Sequence, residues 1–443
     1  MKKIFYSAFV GSGFSFLSFF ACAQTGKADT LLTDATLKEC VQYAEKHYPL
    51  VQQALLDERI TEAQIKSRLA DWYPQLNLDA SYQYNFQLSK IFVNGAYSPT
   101  GTKNASIIGL GATQNIFNRD VLLASRTAND VRTQIRQSTT TDKIDVAVNV
   151  SKAFYDVLLT QKQIEVLTDD ILRLERNLKD SYNQYEGGLV DKTDYKRATI
   201  SLNNSKAEKK ADEELLKAKY IYLKQQMGYT ANNDIHLAYD SAMMEAQILV
   251  DTTTGVNFEN RIEYQSILTQ KRLQEANLKY NKWSYYPVVS ANGAYNTNFF
   301  NNSFSKLYSS SFPNSYAGLT LAFPIFQGGK RIQDIRIAAL QVERVDWDIV
   351  NLRNSISSQY AQALAVYKGN LNDYYVLKEN LELARDVFNT IELQYRSGIK
   401  AYLDLITAET DLRNAQSNYS NALYQVLSSK LDVQKALGIV QLN

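Results

Sequence analysis

The sequence of 443 residues is poor in the residue types that carry most enzyme and metal chemistry. It contains two cysteines, two histidines, 6 prolines and 18 glycines. No zinc-ligand spacing, phosphate-binding loop or nucleophile elbow is present. The formal net charge of +2 gives no global field for nucleic acid or for an acidic substrate. We therefore expect a protein that is not an enzyme, binds no nucleic acid, and holds no metal or cofactor.

Residues 1–23 have the composition of a secretory signal peptide. Two lysines precede an apolar stretch over 4–20, and a small-x-small pattern follows at 21–23. We predict export with cleavage after this pattern, which leaves Cys40 without a disulfide partner. Glycines and serines in the stretch argue against an uncleaved anchor. The alternative of lipid attachment at Cys22 stays open, although two phenylalanines precede it where aliphatic and small residues are usual.

Beyond residue 23, no stretch approaches 18 consecutive apolar residues, so the sequence offers no transmembrane helix. An exported chain without such a helix is periplasmic, secreted, or inserted in the outer membrane as a β-barrel. The periodic patterns along the rest of the chain distinguish these three cases.

A set of short motifs occurs twice, at an offset of about 210 residues. This ordered self-similarity indicates an internal two-fold sequence repeat. We predict a first structural repeat over 24–228, a linker over 229–257 and a second repeat over 258–443. Each repeat reads helix, two strands, long helix, tight turn and return helix. The paired segments are 73–82 with 286–295, 115–117 with 324–326, 185–194 with 395–404, and 226–228 with 436–438.

Each repeat contains one long stretch that is almost free of helix breakers. Residues 120–186 contain no glycine or proline, and residues 331–397 contain only Gly369. Apolar positions from Val345 to Tyr395 recur at steps of three and four, which indicates a coiled-coil seam. A helix of this length spans about 100 Å and must bury its seam against other long helices.

The long helices are predicted to reverse at tips near 187–194 and 397–404. Gly187, Gly188 and Gly398 lie there, and glycine can supply a left-handed turn conformation. Charged residues follow each turn, at the narrow end that a funnel of helices would have. Rings of like charge at such a constriction set ion selectivity.

Four segments alternate apolar and polar residues to different degrees, as β-strands do. The clearest, about 74–86, places Leu76, Leu78 and Tyr82 on one face and polar groups on the other. Its length suits an outer-membrane barrel strand, because soluble strands are usually shorter. The other predicted strands are about 105–117, 288–300 and 316–326, and the polar stretches 87–104 and 301–315 are predicted as loops outside the membrane.

Four strands cannot close a membrane barrel, because an open sheet edge in lipid leaves backbone groups unpaired. The strands must therefore close between chains. Three copies give twelve strands above a bundle of twelve helices, whereas two copies give eight strands, which is also a permitted number.

This ordered set of motifs resembles the TolC-type outer membrane efflux family over about residues 36–438. The resemblance rests on the opening segment 36–44, the Tyr-Pro-Gln-Leu strand entry at 73–76, the Phe-Pro-Ile-Phe-Gln-Gly-Gly segment at 323–329 and the paired Tyr-x-x-Gly turns. It implies a mixed α/β membrane protein: a trimeric 12-stranded outer-membrane β-barrel with four strands per chain, continuous with a long α-helical periplasmic barrel.

The resemblance also implies a function. The family provides the exit duct of a tripartite efflux or type I secretion system, a passive conduit gated at its periplasmic tip. The chain would then be a homotrimer in the cell outer membrane, with a long periplasmic portion. Its partners would be outer membrane lipid, a periplasmic adaptor protein and an inner-membrane transporter. The sequence leaves the cargo open between small molecules, metals and proteins.

The resemblance further assigns a gate. The family's closed tip is held by a tyrosine and a basic residue on one hairpin, linked to a Thr-Asp pair on the other. Lys400 stands where the compared relative has arginine, so this latch should be looser, because lysine lacks the bidentate fork. The matching positions are Thr193, Asp194, Tyr395 and Lys400.

A constriction ring is expected at the same tip. By resemblance, Asp404 supplies one inward carboxylate per chain, and Thr407 stands where a second ring is expected. One ring should select or bind cations more weakly than two. From the residues alone, Asp194 and Asp404 are equally compatible with capping carboxylates near helix starts. Glu409 is expected on another face of the helix.

The alternative function is a periplasmic coiled-coil scaffold or adaptor protein without a pore. It would use the same long helical hairpins. The four long alternating segments argue against it, because a soluble scaffold has no use for strands that suit a membrane barrel.

The mature protein extracted in mild detergent should have the mass of a trimer, because four strands per chain close only between copies. Sedimentation with the detergent contribution subtracted measures this mass. A monomer would contradict closure between chains, and a dimer would select the eight-stranded barrel.

Overall fold

A computed structural model describes residues 34–93, 95–230, 234–238, 241–251 and 255–440. The predicted signal peptide and parts of the predicted linker over 229–257 lie outside these residues. The described chain is mostly helical with a smaller sheet component, which confirms the mixed α/β class.

The first half of the chain runs through two short helices, four strands and a pair of long helices. The second half repeats this order with two strands fewer. The elements of the first half are α1 (Leu37–His47), α2 (Pro49–Ala70), β1 (Gln75–Tyr84), β2 (Ser89–Val93), β3 (Ala96–Thr100), β4 (Asn104–Phe117), α3 (Arg119–Glu186) and α4 (Lys192–Met227). Those of the second half are α5 (Ser241–Ala246), α6 (Ile262–Lys282), β5 (Val288–Asn301), β6 (Phe312–Ala322), α7 (Lys330–Arg396) and α8 (Tyr402–Leu437).

The long helices α3 and α7 contain 68 and 67 residues. At 1.5 Å per residue, each is about 100 Å long. Among the helices of the described residues, none is both long and apolar enough to cross a membrane. Apolar side chains of both helices, among them Leu158 of α3 and Tyr367 of α7, pack in the main hydrophobic core.

One antiparallel sheet has the strand order β1-β4-β5-β6. The chain-distant strands β4 and β5 pair along nearly their whole length, from Asn104 opposite Asn301 to Phe117 opposite Val289. The strands β1 and β6 form the two edges. Each edge carries exposed apolar side chains, with Leu78 72% and Leu319 74% exposed.

Three of the four predicted strands lie within two residues of the observed bounds. The fourth, predicted over 316–326, lies four residues earlier as β6. Its partner β5 begins at Val288, which pairs with Ala322, so the residues after Ala322 have no strand beside them. Pro324 also lacks the N–H group that a continuing ladder requires.

The predicted loop over 87–104 is wrong in one respect, because it contains the hairpin β2–β3. Phe92 lies opposite Tyr97, and their ring centroids are 5.1 Å apart. The turn uses Gly95, whose φ of +82° is readily adopted only by glycine. β-branched and aromatic residues in a five-residue run favour a strand even between polar turns.

The helices pack as two hairpins that meet along α3 and α8. α3 runs beside α4, α7 runs beside α8, and α3 also contacts α8. The main hydrophobic core includes Leu158 of α3, Leu223 of α4, Tyr367 of α7 and Leu427 of α8. A second, smaller core lies near the hairpin tips; its buried members are Ala198, Phe388, Tyr402, Leu405, Ala408 and Leu412.

Both return helices end at a left-handed glycine that touches backbone from a distant part of the chain. A Cβ at Gly228 (φ +67°) would lie 2.7 Å from the carbonyl oxygen of His47. A Cβ at Gly438 (φ +71°) would lie 2.6 Å from the carbonyl oxygen of Asn260. At both positions, the absence of a side chain lets α4 and α8 end directly against neighbouring backbone.

Replacement of Gly228 by alanine should destabilise the protein more than replacement of Gly188. Both alanines would occupy the left-handed region, which costs roughly 1–2 kcal/mol. Only Gly228→Ala adds a collision, because nothing lies within 4 Å of a Cβ at Gly188. The temperature at which the helical circular dichroism signal is lost measures the difference. Equal losses would mean that the backbone near His47 shifts to make room.

Candidate functional site

The two long hairpins reverse through turns of the same hydrogen-bond pattern. In the first, the N–H of Leu189 donates to the carbonyl of Gln184 at 2.9 Å. In the second, the N–H of Ile399 donates to the carbonyl of Gln394 at 2.9 Å. Each turn closes a helix C-terminus by the same six-residue motif. The two Tyr-x-x-Gly sequences therefore encode the same local structure.

The predicted turn glycines do not contribute equally. Gly188 and Gly398 have φ values of +72° and +74°, as the sequence predicts. Gly187 has an ordinary helical φ of −76°, so its conformation does not require glycine. Gly187 is the C-cap of α3, and the single left-handed residue Gly188 completes this turn.

Each return helix begins with an acidic cap. Asp191 Oδ1 accepts a hydrogen bond from the N–H of Thr193 at 2.8 Å. Asp404 Oδ2 accepts from the N–H of Ala401 at 3.3 Å, at the start of α8. A carboxylate at a helix N-terminus satisfies a free donor and interacts favourably with the helix dipole. The capping role considered for Asp404 is thus present within one chain.

Tyr395 connects the two hairpins near their tips. Its hydroxyl donates to Gln184 Oε1 of α3 at 3.4 Å, and its ring lies 5.9 Å from that of Tyr402. Burial raises the pKa of Tyr395, and the charges of Asp180 and Asp194 raise it further. The structure therefore brings the predicted Tyr395 and Asp194 into one electrostatic neighbourhood.

Lys400 lies beside its own helix start. Its Nζ is 3.9 Å from Asp404 Oδ2, and both side chains are a little less than half exposed. Within the described residues of one chain, no hydrogen bond or ion pair joins Lys400 to Thr193 or Asp194. Of the four predicted latch residues, Asp194 is near enough for its charge to raise the pKa of Tyr395, and Lys400 lies beside Asp404.

Tyr402, at the start of α8 beside the tip, was missed by sequence reasoning. It is 3% exposed and belongs to the apolar cluster at the tips. Burial raises its pKa, and the nearby charges of Glu409 and Asp194 act in the same direction. Among the described residues, its hydroxyl has no hydrogen-bond partner.

A buried charged cluster above the tip was also missed. We define it as Asp170 and Arg173 of α3 with Glu409 and Arg413 of α8. Asp170 and Glu409 are 1% and 2% exposed. A sequence signal for it existed: Asp170 continues the buried spacing of Leu167 and Leu174 on α3, so a carboxylate occupies an apolar seam.

The cluster is held by an unbroken set of polar contacts. Arg173 Nη2 lies 3.3 Å from Asp170 Oδ1, and Arg173 Nε lies 3.3 Å from Glu409 Oε1. Arg413 Nη1 lies 3.4 Å from Asp170 Oδ2. Ser205 of α4 donates to Asp170 Oδ2 at 2.9 Å, and Asn177 Nδ2 donates to Glu409 Oε2 at 3.2 Å.

Burial dominates the electrostatics of Glu409. It raises the pKa of this carboxyl from 4.5 to about 7, and the charge of Asp170 raises it as well. The hydrogen bonds and charge of Arg173 and the amide of Asn177 act in the opposite direction. Glu409 faces α3. The sequence predicts a different helix face for Glu409 than for Asp404.

Among the described residues, no group of three or more His, Cys, Asp or Glu side chains is arranged to hold a metal ion. The buried carboxylates Asp170 and Glu409 are instead neutralised by arginines. The chemistry available at this site is electrostatic positioning of helices.

Comparison with known proteins places these features in a family. A sequence model described as "Outer membrane efflux protein" matches residues 40–229 and 264–439. The outer membrane protein TolC of Vibrio cholerae is 21% identical over 433 residues, which cover 95% of each chain.

Two solved structures share the fold. VceC of Vibrio cholerae has a TM-score of 0.72 at 14% identity, covering 91% of this chain and 96% of that one. The open state of the MtrE outer membrane channel of Neisseria gonorrhoeae has a TM-score of 0.73 at 18% identity, covering 91% and 88%.

Proposed function

Because this chain belongs to the outer membrane efflux protein family, it is a subunit of an outer-membrane efflux duct, and we propose that three copies form that duct. The family match spans both halves of the chain, and this single observation carries the assignment. The duct lies in the outer membrane with an extended periplasmic portion. The alternative, a scaffold without a pore, is not favoured.

The open edges of the sheet support closure between copies, and the family resemblance supports three copies. The order β1-β4-β5-β6 leaves one side of β1 and one side of β6 without a partner in the chain. Unpaired backbone groups cannot face lipid, so β6 of one copy would pair with β1 of the next. Three chains would close a 12-stranded barrel, and the exposed apolar side chains on these strands would face lipid.

The proposed barrel would continue into a helical tunnel. A single residue, Asn118, separates β4 from α3. The side chain of Asn118 caps α3 by accepting from the N–H of Asp120 at 2.8 Å. A strand that leads so directly into a helix of about 100 Å carries the wall of the duct from the membrane towards the periplasm.

We propose that the described part of the predicted linker over 229–257, which includes α5, forms an equatorial band against the long helices. Glu245 of α5 accepts from Tyr374 at 3.1 Å and from Tyr419 at 2.5 Å. It also pairs with Lys378 Nζ at 2.6 Å. These contacts tie α5 to both α7 and α8. A band of this kind would hold the second hairpin at a fixed height while its tip moves.

The duct would act without covalent chemistry. Cargo would pass unchanged from an inner-membrane transporter, joined to the duct through a periplasmic adaptor protein. The transporter selects the cargo, so the same duct serves either tripartite efflux or type I secretion.

The proposed gate lies at the hairpin tips and includes Thr193, Asp194, Tyr395 and Lys400. The proximity of Asp194 to Tyr395 supports it, because these residues belong to different hairpins. Lys400 would contribute through its neighbour Asp404 and through the trimer, where the tips of three copies converge. Asp404 would supply three carboxylates at the constriction.

The double variant Asp194→Ala, Lys400→Ala should raise single-channel conductance in a planar bilayer several-fold, because it removes both charged members of the latch. The matched control Glu175→Ala, Lys206→Ala removes an ion pair of 2.7 Å between α3 and α4, away from the tip. The control should conduct like the wild type. A pore that is unchanged in the latch variant would place the gate elsewhere. If the well-folded protein forms no pore, that result favours the scaffold without a pore.

Asp404→Asn should weaken the block of the pore by multivalent cations, because it removes the three carboxylates of the proposed ring. Asparagine keeps an oxygen that can cap α8. Glu175→Gln serves as the control, because Glu175 pairs with Lys206 of α4 at 2.7 Å within the hairpin α3–α4 and takes no part in the ring. Current measured against trivalent cation concentration gives the block constant. Identical curves for wild type and Asp404→Asn would place the ring at other residues.

A further inference from the structure

The buried charged cluster lies behind the proposed gate. Asp170 precedes the end of α3 at Glu186 by sixteen residues, which is about 24 Å along the helix. Along α8, Glu409 follows Asp404 by five residues, about 7.5 Å, so the cluster adjoins the proposed ring without sharing a residue with it. Neither its position in the seam nor its burial is explained by the gate itself.

The cluster touches all four long helices. Arg413 of α8 reaches Asp170 of α3 and donates to Ser205 Oγ of α4 at 2.8 Å. Arg173 of α3 reaches Glu409 of α8, and its guanidinium lies 5.7 Å from the ring centroid of Phe388 on α7. Two arginines thus each span from one hairpin to the other.

These contacts depend on the hairpins staying packed. A buried ion pair that loses a partner leaves an uncompensated charge, which destabilises the protein unless water reaches it. If the second hairpin moves away from α3, both carboxylates and both arginines must be rehydrated. The packed and separated arrangements therefore differ most strongly in the solvation of this cluster.

We propose that Asp170, Arg173, Glu409 and Arg413 form a proton-responsive brace that positions the second hairpin against the first and favours the closed tip as the pH falls. This inference rests on the proposed function, because it assumes that opening separates the hairpins at their tips. Glu409 is the positioning residue that takes up the proton.

The direction of the effect follows from the burial of Glu409. Its pKa of about 7 in the packed arrangement exceeds the ordinary value of 4.5 that it would approach in water. Between these values, the packed arrangement binds more protons than the separated one. Stability of the packed arrangement is therefore largest below pH 4.5 and decreases as the pH rises through about 7.

Among the described residues, the charged and titratable groups on the neighbouring helices leave this sign unchanged. α3 presents Asp170 and Arg173 to Glu409, and α8 itself presents Arg413 and Tyr402. α4 contributes the hydroxyl of Ser205, and α7 contributes the ring of Phe388. Protonation of Glu409 relieves its repulsion with Asp170 and leaves an oxygen for the hydrogen bond from Arg173.

The open fraction of single channels, recorded at pH 8 and at pH 6, tests the brace. In the wild type, the open fraction should fall between pH 8 and pH 6 by up to about tenfold for each chain that takes up a proton. Glu409→Gln is neutral at both pH values and keeps both hydrogen-bond acceptance and volume. Its open fraction should be low and equal at pH 8 and pH 6. Glu175→Gln, which alters an exposed ion pair between α3 and α4, should respond to pH like the wild type.

A second variant moves the response without abolishing it. Asp170→Asn removes the carboxylate that raises the pKa of Glu409, so the midpoint of the open-fraction curve should shift to lower pH. Circular dichroism and the detergent-corrected mass establish that each variant is folded and assembled.

Two results would overturn the brace: a wild-type open fraction that is independent of pH, or a Glu409→Gln curve that coincides with the wild-type curve. An Asp170→Asn midpoint equal to that of the wild type would remove the electrostatic coupling within the cluster. A folded protein that forms no pore at either pH would instead contradict the proposed function.

Discussion

The open edges of the four-stranded sheet are the constraint on which the rest of this protein depends. A strand edge in lipid must find a partner, and the described part of the chain supplies none for the outer sides of β1 and β6. Closure between identical copies satisfies both edges with one repeated contact. Once the strands are arranged around a common axis, the helices that continue from them must be arranged around the same axis, and the hairpin tips must converge on it.

The helical part then has two kinds of contact with different consequences. Along most of their length, α3, α4, α7 and α8 pack through a continuous apolar core that includes Leu158 and Leu427. Apolar contacts of this kind tolerate sliding, because they are not directional. Near the tips, the contacts become ionic and hydrogen-bonded, as at Asp170 and Glu409. Directional contacts between buried charges permit few relative positions, so these contacts set the register between the hairpins near their tips.

Much of this architecture could be predicted from the sequence, because long periodic segments report their own structure. The breaker-free stretches predicted α3 and α7, and strict alternation predicted β1. The end of β6 could not be predicted, because the run over 319–323 is apolar on both faces and the strand stops only where its partner stops. The hairpin β2–β3 was hidden in a polar stretch for a similar reason: its five-residue strands are too short to show a period.

The site was less predictable than the fold. The repeated Tyr-x-x-Gly motif located both turns, yet it did not reveal that Gly187 is helical. The cluster around Asp170 forms only because four helices bring side chains to the same position along the bundle. The sequence pattern of a single helix does not indicate its axial position relative to the others. Whether Lys400 meets Thr193 depends on neighbouring copies, and within one chain its nearest acidic group is Asp404.

The two joints between sheet and helices are unequal. α3 leaves β4 after one residue, whereas residues 323–329 connect β6 to α7 and end in Gly328 and Gly329, both with left-handed φ values. The first joint therefore holds α3 in a fixed direction relative to β4, whereas the second allows α7 to tilt relative to β6. A tilt of about 5° at the second joint displaces the far end of a rod of about 100 Å by about 9 Å. The joints therefore leave the hairpin α7–α8 freer to tilt than the hairpin α3–α4.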